Sequence, residues 1–205
     1  ATESEKMKTA FLNSICHEIR TPLNSIAGCS ELIFDESLDT ATRQEFRQLI
    51  QSNSTALASL MDNMLELSQL VSSELPLPVE STDVYGLCVE EMAKLKETLS
   101  KPNIECIITG DKDGMTAQTN AFYLSRVIGN LLSNSAKFTE SGTITLTCNI
   151  DKEKGQLVIS VTDTGIGIPA DKQEWVFERF TKVDDFKPGT GLGLYICRII
   201  IQRLG

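Results

Sequence analysis

From Ile50 to Val71 apolar residues return at alternating spacings of three and four: Ile50, Leu57, Leu60, Met64, Leu67 and Val71, with Asn53 the one polar residue on that line. Arg43 and Phe46 continue the line backwards. Such spacing predicts an amphipathic helix in heptad register, on which a lone polar position can fix alignment. A second stripe runs through Met7, Phe11, Ile15 and Ile19, beside Leu12, Leu23 and Ile26, and predicts a long helix from about Glu3 to Asp35. Between the stripes lies "ESLDTATRQE", where Asp39 or Thr40 can cap the second helix. Two helices cannot bury both seams against each other alone. A hairpin that dimerises into a four-helix bundle buries both, and packing on the rest of the same chain is the alternative.

"SSELPLPVESTD" (Ser72–Asp83) ends the helical pattern with prolines at 76 and 78. It predicts a linker over 76–82 between a helical region, 1–75, and a second region, 83–205. There the period alternates. Helices are expected at Val84–Leu99, Ala121–Ala136 and Gly191–Leu204, and strands at Ile104–Thr109, near Met115–Gln118, and at Thr143–Ile150 and Gln156–Thr162. "GDKDG" should turn the chain after the first strand, and "DKEKG" should join the last two as a hairpin. The result is a layer of helices on one face of a sheet.

Composition narrows the classes. The chain has 205 residues, 41% of them hydrophobic, and a formal charge of −9. That charge disfavours nucleic acid and anionic membrane as partners. Six scattered cysteines with one histidine make neither a zinc pattern nor a C-x-x-C pair, and read as free thiols of a reducing compartment. No apolar run reaches a membrane span. The chain opens at Ala1 inside a helical pattern, so the expectation is a cytoplasmic piece of a larger, membrane-anchored or soluble protein.

The lone histidine, His17, stands in "FLNSICHEIRTPLNSI" (Phe11–Ile26). At about 100° per residue it lies opposite the mean direction of Ile15 and Ile19, so it points off the apolar stripe. Glu18 is its neighbour, Thr21 shares its face, and Pro22 removes the donor for the Glu18 carbonyl, which predicts a bend. A neutral imidazole beside a carboxylate is a competent nucleophile.

Three further motifs are each weak alone. "DTGIGIP" (Asp163–Pro169) places a carboxylate at a strand end, able to accept from an adenine amino group, with Gly165 and Gly167 allowing close backbone approach. "GTGLGL" (Gly189–Leu194) fits neither a Rossmann nor a Walker A pattern, but can open a helix whose first N–H groups face phosphate. "NLLSNSAKFT" (Asn130–Thr139) puts Asn130 and Asn134 on one helix face, with Lys137 a turn on. Asparagine carbonyls suit a magnesium ion held with triphosphate, and the lysine suits phosphate charge. A plain solvated helix side is the alternative.

The His17 segment resembles the phospho-acceptor motif of sensor histidine kinases of two-component systems, with Cys16 where a small residue usually precedes the histidine. The other motifs, in this order, resemble that family's ATP-binding domain, whose nucleotide fold recurs in Hsp90, MutL and DNA gyrase B. The resemblance implies a dimeric four-helix bundle followed by a two-layer α/β sandwich of the histidine kinase/Hsp90 type. It implies His17 as phospho-acceptor, Glu18 as its activating acid and Thr21 as a water-orienting residue when the enzyme acts as a regulator phosphatase. It implies ATP and Mg²⁺ as ligands, with Asn130, Asn134, Lys137, Phe138, Asp163, Gly165, Gly167, Lys182, Thr190, Gly191, Leu192 and Gly193 at the nucleotide and Asn134 on the metal. Phe177 and Phe180 would clamp a lid over 182–188. Partners would be a second copy of the chain and a response-regulator receiver domain. The run Asn120, Tyr123 and Arg126 departs from the family's usual residues, and the second domain ends without its usual last strand, as though truncated. Two rivals follow: a weakly active dimeric scaffold, and an ATP-driven conformational machine.

Overall fold

The computed structural model describes residues 3–72, 76–110, 115–151, 153–183 and 189–205, with backbone only at residues 3–8 and 10. The Met7 side chain, most of the expected "GDKDG" turn (111–114), Lys152 of the "DKEKG" turn and 184–188 of the expected lid lie outside these residues. The chain divides into two compact units. One joins Ala1–Ser72 to Glu178–Gly193, and the other joins Ser73–Phe177 to Leu194–Gly205.

The first unit is built on two helices, α1 (Glu3–Leu32) and α2 (Thr40–Ser72). α1 runs on through Pro22. A proline there costs one main-chain hydrogen bond but does not end the element when the flanking turns hold it. The loop between the helices is fixed by two carboxylates. Asp35 Oδ1 accepts from the Ser37 hydroxyl at 2.7 Å and the Ser37 amide at 2.8 Å. Asp39 Oδ1 accepts from the Thr42 amide at 2.7 Å, which makes it the cap of α2. These donors hold both carboxyls below their ordinary value, the Ser37 hydroxyl foremost for Asp35 and the Thr42 amide for Asp39. Their support of the turn is therefore present at neutrality and is lost as pH falls through the lowered values.

Asn53 does bridge the helices: its Nδ2 donates to Ser25 Oγ at 3.2 Å and to the Leu49 carbonyl at 2.8 Å. Further along, the buried line keeps Leu60 and Leu67 of the expected seam but passes through Asn63 and Leu70 in place of Met64 and Val71. Leu70 is 3% exposed, whereas Val71 is 60% exposed. Neighbouring helix positions lie about 100° apart, and spacings of three and four permit either line.

In the second unit β1 (Glu80–Asp83) pairs antiparallel with β3 (Thr116–Thr119). β1 occupies the end of the segment expected to be linker. Of its residues only Thr82 is buried, so the strand exists by pairing and not by its own pattern. The larger sheet has the order β2-β4-β5, with β2 (Ile104–Gly110) parallel to β4 (Gly142–Asp151) and β4 antiparallel to β5 (Gln156–Asp163). Helices α3 (Val84–Thr98) and α4 (Ala121–Phe138) supply most of the core against it. On β4 the alternation is strict: Ile144, Leu146 and Cys148 are fully buried. They meet Val84, Cys88 and Met92 of α3 and Leu124, Ile128 and Leu132 of α4. Helix α5 (Gly193–Leu204) buries Tyr195, Ile196, Cys197 and Ile200.

Asp83 caps α3 by accepting from the Gly86 amide at 3.0 Å. Asn120 caps α4 by accepting from the Tyr123 amide at 3.1 Å, and donates to the Pro78 carbonyl at 2.7 Å. All six cysteines are free. Burial, and next the neighbouring Cys148 thiol, push the Cys88 thiol up to about 12, so it stays protonated packing material.

Leu146 has no exposed surface. Leu146→Ala should therefore cost about 3 kcal/mol in a urea melt of this unit. A loss near zero would mean that β4 is not the centre of the core.

Candidate functional site

The helical hairpin presents the imidazole as the pattern requires. Ile15 is 6% exposed, while Cys16 is exposed and His17 is exposed on the opposite side of α1. Glu18 is half-buried. The Thr21 hydroxyl donates to the His17 main-chain carbonyl at 3.3 Å. That bond engages the hydroxyl's one donor and leaves its oxygen able to accept.

The segment from Glu178 to Gly193 belongs to the same unit. Lys182 Nζ donates to Glu18 Oε2 at 2.6 Å, each side chain 23% exposed. The Phe180 ring lies 5.7 Å from that of Phe11, over which the Arg179 guanidinium sits at 5.2 Å. Phe180 takes φ 59°, a conformation uncommon for any residue but glycine. Asn63, buried on α2, donates to Thr190 Oγ1 at 3.3 Å. The same oxygen accepts from the Leu192 amide at 3.4 Å. Gly191 has φ +67°, and a Cβ there would lie 2.6 Å from the Phe180 carbonyl carbon. Helix α5 starts at Gly193, two residues after the expected start. The positive φ of Gly191 cannot belong to a right-handed helix, so the glycines form its entry.

The other unit carries a separate cluster. On α4, Asn130, Asn134 and Lys137 share a face and are half-buried. Asn130 Nδ2 is buried with no hydrogen-bond partner, an expensive state unless a ligand oxygen completes it. Lys137 Nζ lies 4.7 Å from the Phe138 ring centroid.

Asp163 ends β5 opposite Ile144. Its Oδ1 accepts from the Gly165 amide at 2.9 Å, and its Oδ2 from the Ser135 hydroxyl at 2.9 Å. The loop then closes on α4, the Ile166 amide donating to the Phe138 carbonyl at 3.3 Å. A Cβ on Gly165 would sit 2.6 Å from that carbonyl oxygen, so this glycine is required by the loop's own contact with α4. Gly167 has φ +68° and nothing near it, so it is required by backbone conformation.

The structure thus brings Asp163, Gly165 and Phe138 together, gathers Asn130, Asn134 and Lys137 on one face, and gathers Glu18, Lys182 and Thr190 with the hairpin. It adds two residues that spacing did not single out. Ser135 was hidden beside the two asparagines, and its signal was a hydroxyl at a helix position on the buried side. Asn63 was hidden because the expected seam ran through Met64.

Among the described residues no cluster of three His, Cys, Asp or Glu side chains could hold a metal ion. The amide face of α4, with its unsatisfied donor, fits an oxygen of a bound polyanion.

Two family models match. Residues 7–73 match the His Kinase A (phospho-acceptor) domain, and residues 119–205 match the histidine kinase-, DNA gyrase B- and HSP90-like ATPase. A relative from Dictyostelium discoideum, hybrid signal transduction histidine kinase A, is 31% identical over 100% of this chain and 10% of its own length. The chain spans 10–26% of the length of the curated relatives it matches. Full-length ShkA, solved with AMPPNP, is 27% identical with a TM-score of 0.67, over 95% of this chain and 41% of that one. ThkA, solved with the response regulator TrrA, shares the fold at a TM-score of 0.78 and 22% identity, over 99% of this chain and 57% of that one.

Proposed function

The chain belongs to the sensor histidine kinases of two-component systems, and from that premise we propose that it phosphorylates itself on His17 from ATP and passes the phosphoryl group to an aspartate of a receiver domain. The observation that carries this is the exposed imidazole on α1, beside Glu18 and one turn before Pro22, in a chain that also carries the ATPase-type domain.

In the reaction a lone-pair nitrogen of His17 attacks the γ-phosphorus of ATP, the bond to the β-bridging oxygen breaks, and ADP leaves. Glu18 takes up the imidazole proton. Asp163 would hold the adenine, Asn130 would donate to a phosphate oxygen, Asn134 would offer its carbonyl to Mg²⁺, and Lys137 would offset phosphate charge. Mg²⁺ bound there would neutralise charge building on the phosphate oxygens. The Gly189–Gly193 entry to α5 would offer main-chain N–H groups, and Lys182 a cation. Catalysis of this kind is mostly placement and charge compensation.

The domains we assign are a phosphotransfer hairpin at 1–75, a linker at 76–82 and a catalytic domain at 83–205. A second copy of the chain would cover apolar residues that the hairpin leaves exposed, among them Leu12, Leu23, Met61 and Leu65. Among the described residues no helix is long and apolar enough to cross a membrane. We assign this portion to the cytoplasmic side of a larger sensor. Thr21, tied to the His17 carbonyl, is the residue through which the same site would hydrolyse a regulator's phosphoaspartate.

The test is incubation with γ-labelled ATP. Wild type should take up acid-labile, alkali-stable phosphate. His17→Gln should take up none, with ATP affinity within about twofold of wild type, because the nucleotide contacts lie elsewhere. Label persisting on the variant would place the acceptor on another side chain.

A further inference from the structure

We propose that Ser135 sets base selectivity at the nucleotide site, by fixing the Asp163 carboxylate so that it accepts from the exocyclic amino group of a 6-aminopurine. The inference rests on the ATP-binding reading above.

Ser135 lies near the end of α4 and is 5% exposed. Its Oγ is 2.9 Å from Asp163 Oδ2. An ionised carboxylate carries no proton, so the hydroxyl must be the donor. The Gly165 amide donates to the other oxygen, Oδ1, at 2.9 Å. Two donors from different elements, one on each oxygen, fix the carboxylate plane against rotation about its last torsion. Asp163 is itself exposed and no other described side chain restrains it. Without the hydroxyl the group keeps one tether and regains that rotation.

A carboxylate has about four lone-pair positions, so two remain open after these bonds, and both can only accept. A base edge that meets them must bring a donor. The 6-amino group of adenine does. The 6-oxo group of guanine brings lone pairs against lone pairs, and a purine with hydrogen at position 6 brings nothing. Ser135 is therefore a positioning residue: it touches Asp163 and does not need to touch the base. A site that hydrogen-bonds its ligand through a restrained group rejects the analogue lacking the partner atom more sharply than a flexible one.

The test is calorimetric binding of ATP, GTP and the 6-hydrogen purine riboside triphosphate to wild type, Ser135→Ala and Ser135→Thr. A thermal melt of each variant checks the fold. Wild type should prefer ATP to both analogues. Ser135→Ala should weaken ATP roughly fivefold, the worth of one hydrogen bond. It should leave the 6-hydrogen analogue nearly unchanged, so that the preference collapses. Ser135→Thr, which keeps the donor, should restore it. Equal weakening of ATP and analogue in Ser135→Ala, or no change in either, overturns the role of Ser135. If wild type binds nucleotide but ignores the 6-amino group, the adenine reading of Asp163 falls with it. If wild type binds none, the ATP site itself is wrong.

Discussion

Asp163→Asn should lower ATP affinity about 100-fold, with the thermal melt of the protein little changed. The change looks mild, since the two side chains have nearly the same shape. Yet Asp163 receives donors on both oxygens, Ser135 on one and Gly165 on the other. Asparagine has only one acceptor atom. Turned one way, its NH₂ faces the Gly165 N–H, which can only donate, and that hydrogen bond becomes a repulsion. Turned the other way, its oxygen keeps the Gly165 bond and the NH₂ faces the Ser135 hydroxyl, which must turn to accept. An amide that keeps its oxygen on Gly165 also aims its NH₂ towards any arriving amino group. Losing the base contact and leaving a polar group unsatisfied together cost about 3 kcal/mol, which is the predicted factor. Titration calorimetry checks it. An affinity within threefold of wild type would mean that the base lies away from this carboxylate.

Gly191→Ala is the second large effect expected. Its added carbon would lie 2.6 Å from the Phe180 carbonyl carbon, 2.8 Å from its Cα and 2.9 Å from the Thr181 nitrogen. All three are main-chain atoms and cannot swing aside. The φ of +67° adds conformational strain for any residue with a Cβ. Together these effects should displace the entry to α5, where Leu192 has no exposed surface. Labelling of His17 should fall at least tenfold, and the midpoint of thermal unfolding should drop by roughly 5–10 °C. Full labelling with an unchanged melt would show that the loop tolerates another path and that its glycine is not structural.

Legibility in the sequence followed the range of the forces involved. α2 and β4 were legible because each buries one face, and a buried face writes its period into consecutive residues; α1 was legible from its apolar stripe, of which Ile15 is buried while Leu12 and Leu23 beside it stay half exposed. The β4-β5 hairpin was legible because its partners are adjacent in the chain. β1 was not, since Glu80, Ser81, Thr82 and Asp83 carry no apolar alternation and the strand forms only by meeting Thr116–Thr119. Likewise the choice between Val71 and Leu70 on α2 depends on which neighbour the helix meets, and the local spacing permits both. At the candidate site, Asp163 stood out in the sequence through the glycines that follow it. Ser135 could not, because its partner lies 28 residues away and a serine among asparagines looks like a solvated face. The two glycines of that loop were read as allowing close backbone approach to a base; the structure adds that Gly165 has no room for a side chain against the end of α4 and that Gly167 has a positive φ.

The Lys182 ammonium lies 2.6 Å from Glu18 Oε2. It carries three N–H donors, and the carboxylate takes one of them, so two remain for other oxygens. On the proposed reading, a phosphate arriving at Lys182 would share that ammonium with the carboxylate beside His17, and nucleotide arrival would be felt next to the phospho-acceptor through a single side chain.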